Sequence, residues 1–147
     1  VLESMIADSD VDVHIGETNV YDMMAVSTAA IAASGTATLE TALMELPTLL
    51  IYRVSSLTYW LSKLLVHIDS IGLPNIIMGR RIMPELWQDE VTAKHIAQVI
   101  VPILTDTSRH DELKQAMAEV RRTMGQSGAV QRITKTILEF AKEKQGE

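Results

Sequence analysis

Short apolar runs alternate with segments of helical periodicity through the first half of the 147-residue chain, and this alternation limits the fold more than any other feature. Three apolar runs predict strands, at residues 11–15, 29–33 and 48–54. Two segments of helical spacing separate these runs, at residues 19–26 and 36–46. Strands that are buried on both faces and separated by helices pack as a parallel sheet. We therefore predict an α/β chain in which helices flank a parallel sheet.

The middle of the chain predicts one helix and one long loop. Ser56 can cap a helix over residues 57–68, whose wide apolar stripe is typical of a helix in a core or a subunit contact. A lipid-facing surface around Tyr59 and Trp60 is the alternative. Residues 72–86 follow, and their glycines and prolines predict a loop that carries function.

The last third of the chain predicts three helices. Apolar residues recur at three- and four-residue spacing over residues 96–104, 113–124 and 130–138. Arg121, Arg122 and the following Gly125 are typical of a helix C-terminus. We expect a sheet-bearing core over residues 1–88 and a helical tail over residues 92–147.

Composition argues against several classes of function. The net charge is −6, whereas nucleic-acid binding depends on clustered Lys and Arg, so we expect no nucleic-acid partner. The sequence contains no cysteine, which excludes disulfides and thiolate metal sites. The four histidines are scattered without paired spacing, so we expect no metal site. No apolar stretch of about 18 residues predicts a membrane-spanning helix.

A Ser-Gly-Thr turn after the second apolar run is the strongest candidate site. In an open parallel sheet, ligands bind beyond the carboxyl ends of the strands, where helices begin. Gly35, next to Ser34, would let the backbone approach a phosphate, and the N–H groups of Thr36 and Ala37 could donate to it. Glu40 shares a helix face with Thr36 and could accept hydrogen bonds from a ribose.

A purely structural interpretation of this turn stays open. Ser34 would then cap the helix, Gly35 would ease a tight turn, and Glu40 would be a solvated surface residue. The sequence has no G-x-G-x-x-G or Walker pattern. Local physics therefore predicts an anion site without naming its ligand.

Four motifs in order point to a family. They are residues 34–40 (SGTATLE), 47–53 (PTLLIYR), 73–77 (LPNII) and 84–88 (PELWQ). Together they resemble the lipid-A-disaccharide synthase family, whose members are glycosyltransferases with two facing Rossmann-like domains. The resemblance is close over residues 34–88, and the flanks are similar only in the order of their elements. Trp87 is a departure, since an aliphatic residue is expected there.

The resemblance implies a Rossmann-like fragment of the C-terminal domain, which holds the nucleotide-sugar donor. The turn from Ser34 to Ala37 would receive the pyrophosphate of UDP, and Glu40 would bind its ribose. Arg53 could meet a phosphate, and a structural ion pair is its alternative role.

The same resemblance implies that Asn75, Glu85 and Gln88 reach toward the donor sugar or the cleft between the domains. The Asn75 side chain both donates and accepts, which suits contact with a sugar. Its alternative role is that of a turn-forming residue after Pro74.

In the family the reaction joins UDP-2,3-diacylglucosamine to 2,3-diacylglucosamine 1-phosphate with inversion, and UDP leaves. The general base and the acceptor site would belong to an N-terminal domain, so no catalytic residue is assigned here and no cofactor is expected. Because Val1 opens the sequence in a helical pattern, we expect a fragment without transfer activity of its own.

The resemblance also implies a cytoplasmic location, with peripheral contact at the inner face of the inner membrane and a homodimer left open. Two alternative functions remain. One is another two-domain UDP-sugar enzyme, such as the muramyl-pathway N-acetylglucosaminyltransferase or the UDP-N-acetylglucosamine 2-epimerase, although the motifs at residues 73–75 and 84–86 argue against both. The other is a non-catalytic nucleotide-binding or interaction module.

Overall fold

The computed structural model describes Ile6 and residues 10–16, 19–33, 35–54, 70–125 and 128–145. Ser34 and the helix predicted over residues 57–68 lie outside the described residues.

Three short parallel strands form the sheet. They are β1 (Ala30–Ala32), β2 (Thr48–Tyr52) and β3 (Glu85–Trp87), hydrogen-bonded in the order β1-β2-β3. The described helices are α1 (Val20–Val26), α2 (Thr36–Leu43), α3 (Leu73–Met78), α4 (Ala93–Thr105), α5 (Thr107–Met124) and α6 (Ala129–Gln145), with a 3₁₀ turn at Gln88–Glu90. The predicted α/β class with a parallel sheet and a helical C-terminal part is confirmed, and it fits a Rossmann-like fragment.

The core lies between the sheet and the helices packed on it. Its central cluster joins side chains from β2, α2, α5 and the segment before β3, namely Ala42, Leu50, Ile82, Met83, Met117 and Val120. Helix α5 packs against both α2 and α3. Because these helices face the sheet, their N-termini and the strand ends are held as one framework.

The strand predicted at residues 11–15 is wrong. These residues join no strand ladder among the described residues, and Val11, Val13 and Ile15 are exposed. The alternation of apolar and polar residues satisfies the strand pattern, but a strand also needs a neighbour to satisfy its N–H and C=O groups. Among the residues that the structure describes, β2 is the one strand that pairs with β1.

The long loop predicted at residues 72–86 contains two regular elements. Helix α3 places Pro74 in its first turn and ends at Gly79, whose φ of 61° is left-handed. Strand β3 begins at Glu85, directly after Pro84. Both elements carry sequence signals, because Pro favours the first helical turn and Gly favours the helix end.

The three C-terminal helices are confirmed, with one shifted start. Asp106 caps α5 by accepting from the N–H groups of Ser108 and Arg109, so the first turn lies earlier than the sequence suggested. Gly125 ends α5 as predicted. Several apolar side chains of α6 are exposed: Val130, Ile133, Ile137, Leu138 and Phe140. Within the described ranges, no helix combines the length and apolar character needed to cross a membrane.

The core assignment predicts a large effect at Leu50, which is 0% exposed. Leu50→Ala should lower the free energy of unfolding by about 2–5 kcal/mol, because it removes buried methyl groups and leaves a cavity. Leu104→Ala is the matched control, since Leu104 is 52% exposed on α4. Urea titration of the full-length protein measures both, and equal midpoints for the two variants would contradict the core assignment.

Candidate functional site

Three of the predicted residues follow the three strands of the sheet, beyond their carboxyl ends. One row of paired residues crosses all three strands: Ala32, Leu50 and Glu85. Three residues later in the sequence come Gly35, Arg53 and Gln88, respectively. The carboxyl edge of a parallel sheet is where such folds bind ligands.

The turn at Gly35 leaves backbone donors free at this edge. Gly35 is the N-cap of α2, with φ 82° and ψ −160°, and no side chain of a described residue caps the helix. Within the described part of the chain, no acceptor meets the N–H groups of Thr36 and Ala37. A helix N-terminus with free N–H groups attracts anions.

Glycine is needed at residue 35 for its backbone conformation. A Cβ atom placed there would meet no described atom within 4 Å. The combination of φ 82° and ψ −160° is, however, one that only glycine adopts without strain. Thr38 reinforces the turn, because its hydroxyl donates to the Gly35 carbonyl at 2.9 Å.

Glu40 and Arg53 both carry charged groups that no described residue engages. Glu40 is half-buried on α2, one turn after Thr36, and none of the described residues hydrogen-bonds to its carboxylate. Arg53 follows β2 and is exposed, and no carboxylate of the described residues forms an ion pair with it. The structural ion pair considered for Arg53 is therefore not formed within this part of the chain.

Gln88 binds the backbone of the neighbouring strand end. Its Oε1 accepts from the Val54 N–H at 2.8 Å, and its Nε2 donates to the Val54 carbonyl at 3.2 Å. Gln88 itself has φ 50°, which is unusual for a residue with a side chain. These contacts tie the carboxyl ends of β2 and β3 together.

Glu85 is buried and accepts four hydrogen bonds. Its oxygens accept from the N–H groups of Ile71 (3.1 Å) and Gly72 (2.9 Å), from Asn75 Nδ2 (2.6 Å) and from Trp87 Nε1 (3.0 Å). Such a set satisfies a buried carboxyl group that would otherwise be costly to desolvate. The carboxyl group thus joins β3 to the segment that enters α3.

Asn75 completes the same network. It is 1% exposed, its Oδ1 accepts from the N–H groups of Ile82 and Met83, and its Nδ2 donates to the Met83 carbonyl and to Glu85. All four hydrogen-bonding positions of the amide are therefore engaged. Contact of Asn75 and Glu85 with a sugar stays a prediction, and their observed contacts build the loop on either side of α3.

The predicted residues thus form two groups. The N–H groups of the turn after Gly35 and the side chains of Glu40 and Arg53 are polar groups that no described residue uses, whereas Asn75 and Glu85 are buried in a hydrogen-bond network. The sequence did not predict this network, although a Glu and an Asn among apolar neighbours are a signal for one. No cluster of three His, Asp or Glu side chains that could hold a metal ion occurs among the described residues.

The chain matches known proteins over most of its length. The family model described as lipid-A-disaccharide synthetase matches residues 3–140. The chain is 41% identical to the lipid-A-disaccharide synthase of Geobacter sulfurreducens, over 92% of this chain and 35% of that protein. It is 42% identical to that of Geobacter metallireducens, over the same shares, and 38% identical to that of Myxococcus xanthus, over 81% and 31%.

The parallel sheet with helices flanking it defines the class as a Rossmann-like α/β chain. Within that class, the chain belongs to the lipid-A-disaccharide synthetase family. It spans about a third of the length of the curated relatives that it matches.

The Glu85 network predicts that even a nearly isosteric change is harmful. In the wild type each carboxylate oxygen of Glu85 accepts from two N–H donors. The Glu85→Gln substitution replaces one of these oxygens with an NH₂ group. Two donors would then face a donor, so the free energy of unfolding should fall by more than about 2 kcal/mol. Glu112→Gln, at a side chain that is 67% exposed, should change it by less than about 0.5 kcal/mol. Denaturant unfolding of the full-length variants measures the difference, and similar stabilities would contradict the structural role.

Proposed function

We propose that this chain is the donor-binding part of a glycosyltransferase of lipid A biosynthesis. The reaction would join UDP-2,3-diacylglucosamine to 2,3-diacylglucosamine 1-phosphate, giving a β-1,6-linked disaccharide 1-phosphate and UDP. The family match over residues 3–140 supports the enzyme class. The free N–H groups of Thr36 and Ala37 at the carboxyl edge carry the assignment of the donor to this chain.

The proposal assigns the pyrophosphate and the ribose of UDP to groups without a partner among the described residues. The turn from Ser34 to Ala37 receives the pyrophosphate, because its N–H groups and the α2 dipole favour negative charge. Glu40 accepts hydrogen bonds from the ribose hydroxyls. Arg53 contacts a phosphate, since a guanidinium can bind its oxygens in a bidentate manner.

Asn75, Glu85 and Gln88 belong to the proposal as the loop near the donor sugar. Their hydrogen bonds to the backbone support a role in shaping that loop. A direct sugar contact by Gln88 would use the second hydrogen of its Nε2 or the second lone pair of its Oε1.

Catalysis by this part of the enzyme would be electrostatic. As the acceptor hydroxyl attacks the anomeric carbon from the opposite face, the bond to UDP breaks and negative charge grows on the pyrophosphate. Fixed N–H donors stabilise that charge more in the transition state than in the ground state. The general base and the acceptor site would come from the N-terminal domain, and no residue of this chain is assigned to them.

A binding and transfer experiment on the full-length protein tests this function. Calorimetry should detect UDP binding, and incubation of donor and acceptor should release UDP with formation of the disaccharide. UDP binding without transfer to any acylated acceptor would favour a non-catalytic nucleotide-binding module. Contact with the inner face of the inner membrane and a homodimer stay predictions.

Glu40 tests the ribose assignment. Glu40→Ala should weaken UDP binding by about 1–3 kcal/mol, the scale for lost hydrogen bonds to a charged group. Glu112→Ala, which removes an exposed carboxylate of α5, serves as the control. Equal UDP affinity in Glu40→Ala and the wild type, measured by calorimetry, would remove the assignment.

Gly35 tests the pyrophosphate assignment, and the chain contains a matched control. Gly35 and Gly125 have nearly the same backbone conformation, with φ 82° and ψ −160° against φ 80° and ψ −169°. Alanine should strain both by about 1–3 kcal/mol, so both variants should lose stability. Gly35→Ala alone should also lose UDP affinity, because its strained turn redirects the N–H groups of Thr36 and Ala37. Equal UDP binding by the two variants would indicate that the Gly35 turn is only structural.

A further inference from the structure

The Gln88 side chain substitutes for a strand partner at the carboxyl edge. The last backbone pair between β2 and β3 is Tyr52 with Trp87. Two residues beyond Tyr52, the N–H and C=O of Val54 are bonded by the Gln88 carboxamide at 2.8 and 3.2 Å. A primary amide presents one of its N–H groups and its C=O on the same side of its plane, as the N–H and C=O of one residue in a neighbouring strand lie on the same side of that strand. The Gln88 carboxamide therefore prolongs the β2–β3 pairing by one step.

This contact holds Arg53 from both sides. Its backbone lies between Tyr52, which is paired in the sheet, and Val54, which is bonded by Gln88. The Arg53 side chain is exposed at the same edge and forms no ion pair with a described residue. Gln88 keeps φ 50°, a conformation that persists where the surrounding contacts determine it. The contacts thus fix the backbone of Arg53 and leave its guanidinium available.

We propose that Gln88 is a positioning residue, whose carboxamide fixes the backbone of Arg53 so that the guanidinium meets a phosphate of the nucleotide. This assignment rests on the proposed function, because it takes a nucleoside diphosphate as the ligand at this edge. Gln88 acts through Arg53, so its contribution depends on the guanidinium. It also depends on the phosphates of the ligand, since a nucleoside without phosphates offers Arg53 nothing to bind.

The first arm of the test follows hydrogen exchange in the full-length protein without ligand. Gln88→Met keeps the length of the side chain and removes both hydrogen bonds to Val54. The peptide covering residues 52–54 should exchange about tenfold faster in this variant. Gln98→Met is the matched control, since Gln98 is exposed on α4. Unchanged exchange at residues 52–54 would show that the Gln88 carboxamide does not hold the backbone of Val54, whether or not the protein binds UDP.

The second arm is a double-mutant cycle on ligand affinity, with UDP and uridine as the probes. In the wild-type background, Gln88→Met should raise the dissociation constant for UDP about tenfold and leave that for uridine within about twofold. In an Arg53→Met background, the same change at Gln88 should alter UDP affinity by less than about twofold. Additive effects of the two substitutions, or equal losses for UDP and uridine, would overturn the positioning role.

A third variant separates the effect of the Gln88 hydrogen bonds to Val54 from the effect of the positive φ at residue 88. Gln88→Gly relieves the positive φ and also lacks the carboxamide. It should match Gln88→Met in both arms, and wild-type behaviour of Gln88→Gly would overturn the proposal. Should the wild type fail to bind UDP, the proposed function fails and the phosphate role of Arg53 fails with it. The exchange arm then still decides whether Gln88 holds Val54.

Discussion

The four hydrogen bonds to the buried carboxyl group of Glu85 are the interaction on which the placement of β3 beside β2 and α3 depends. Glu85 pairs with Leu50 in the row that crosses the sheet, and its side chain binds the backbone that enters α3. A carboxyl group can be buried only where donors replace its water, and here four N–H groups do so. Because β3 has only three residues, its position depends on such side-chain contacts as well as on its backbone ladder.

Gly72 shows how closely this arrangement is fitted. A Cβ atom on Gly72 would lie 2.9 Å from Glu85 Oε1 and 3.1 Å from Leu50 Cδ2. Even one added methyl group would push the carboxyl group or the core leucine from its place. The segment before α3 therefore lies so close to the side chains of Leu50 and Glu85 that only glycine fits at residue 72 without a shift of either side chain.

The sequence predicted the parts of this fold that depend on local pattern. Strands β1 and β2 are continuous apolar runs, and α4, α5 and α6 repeat apolar residues at helical spacing, so each was found. Strand β3 was missed because Pro84 and Glu85 replace the apolar residues expected of a buried strand, and Glu85 fits there only through partners elsewhere in the chain. The strand at residues 11–15 was predicted wrongly, because an alternation of apolar and polar residues does not reveal whether the segment pairs with another strand.

The residues of the candidate site likewise divide into those that a local sequence pattern predicts and those whose roles depend on distant contacts. Local pattern was enough to place Gly35, Glu40 and Arg53 near strand ends, since a strand, a turn and a helix start follow directly in the sequence. The roles of Asn75, Glu85 and Gln88 depend on contacts across up to 34 residues of sequence separation, which no local pattern contains. A family motif such as residues 84–88 can therefore recur because it builds an edge, whether or not its residues touch the ligand. The groups to test first for ligand binding are therefore the polar ones at that edge that no described residue engages. The N–H groups of the Gly35 turn meet this criterion. The Arg53 guanidinium meets it as well, because the backbone of Arg53 is fixed while no described carboxylate pairs with its side chain.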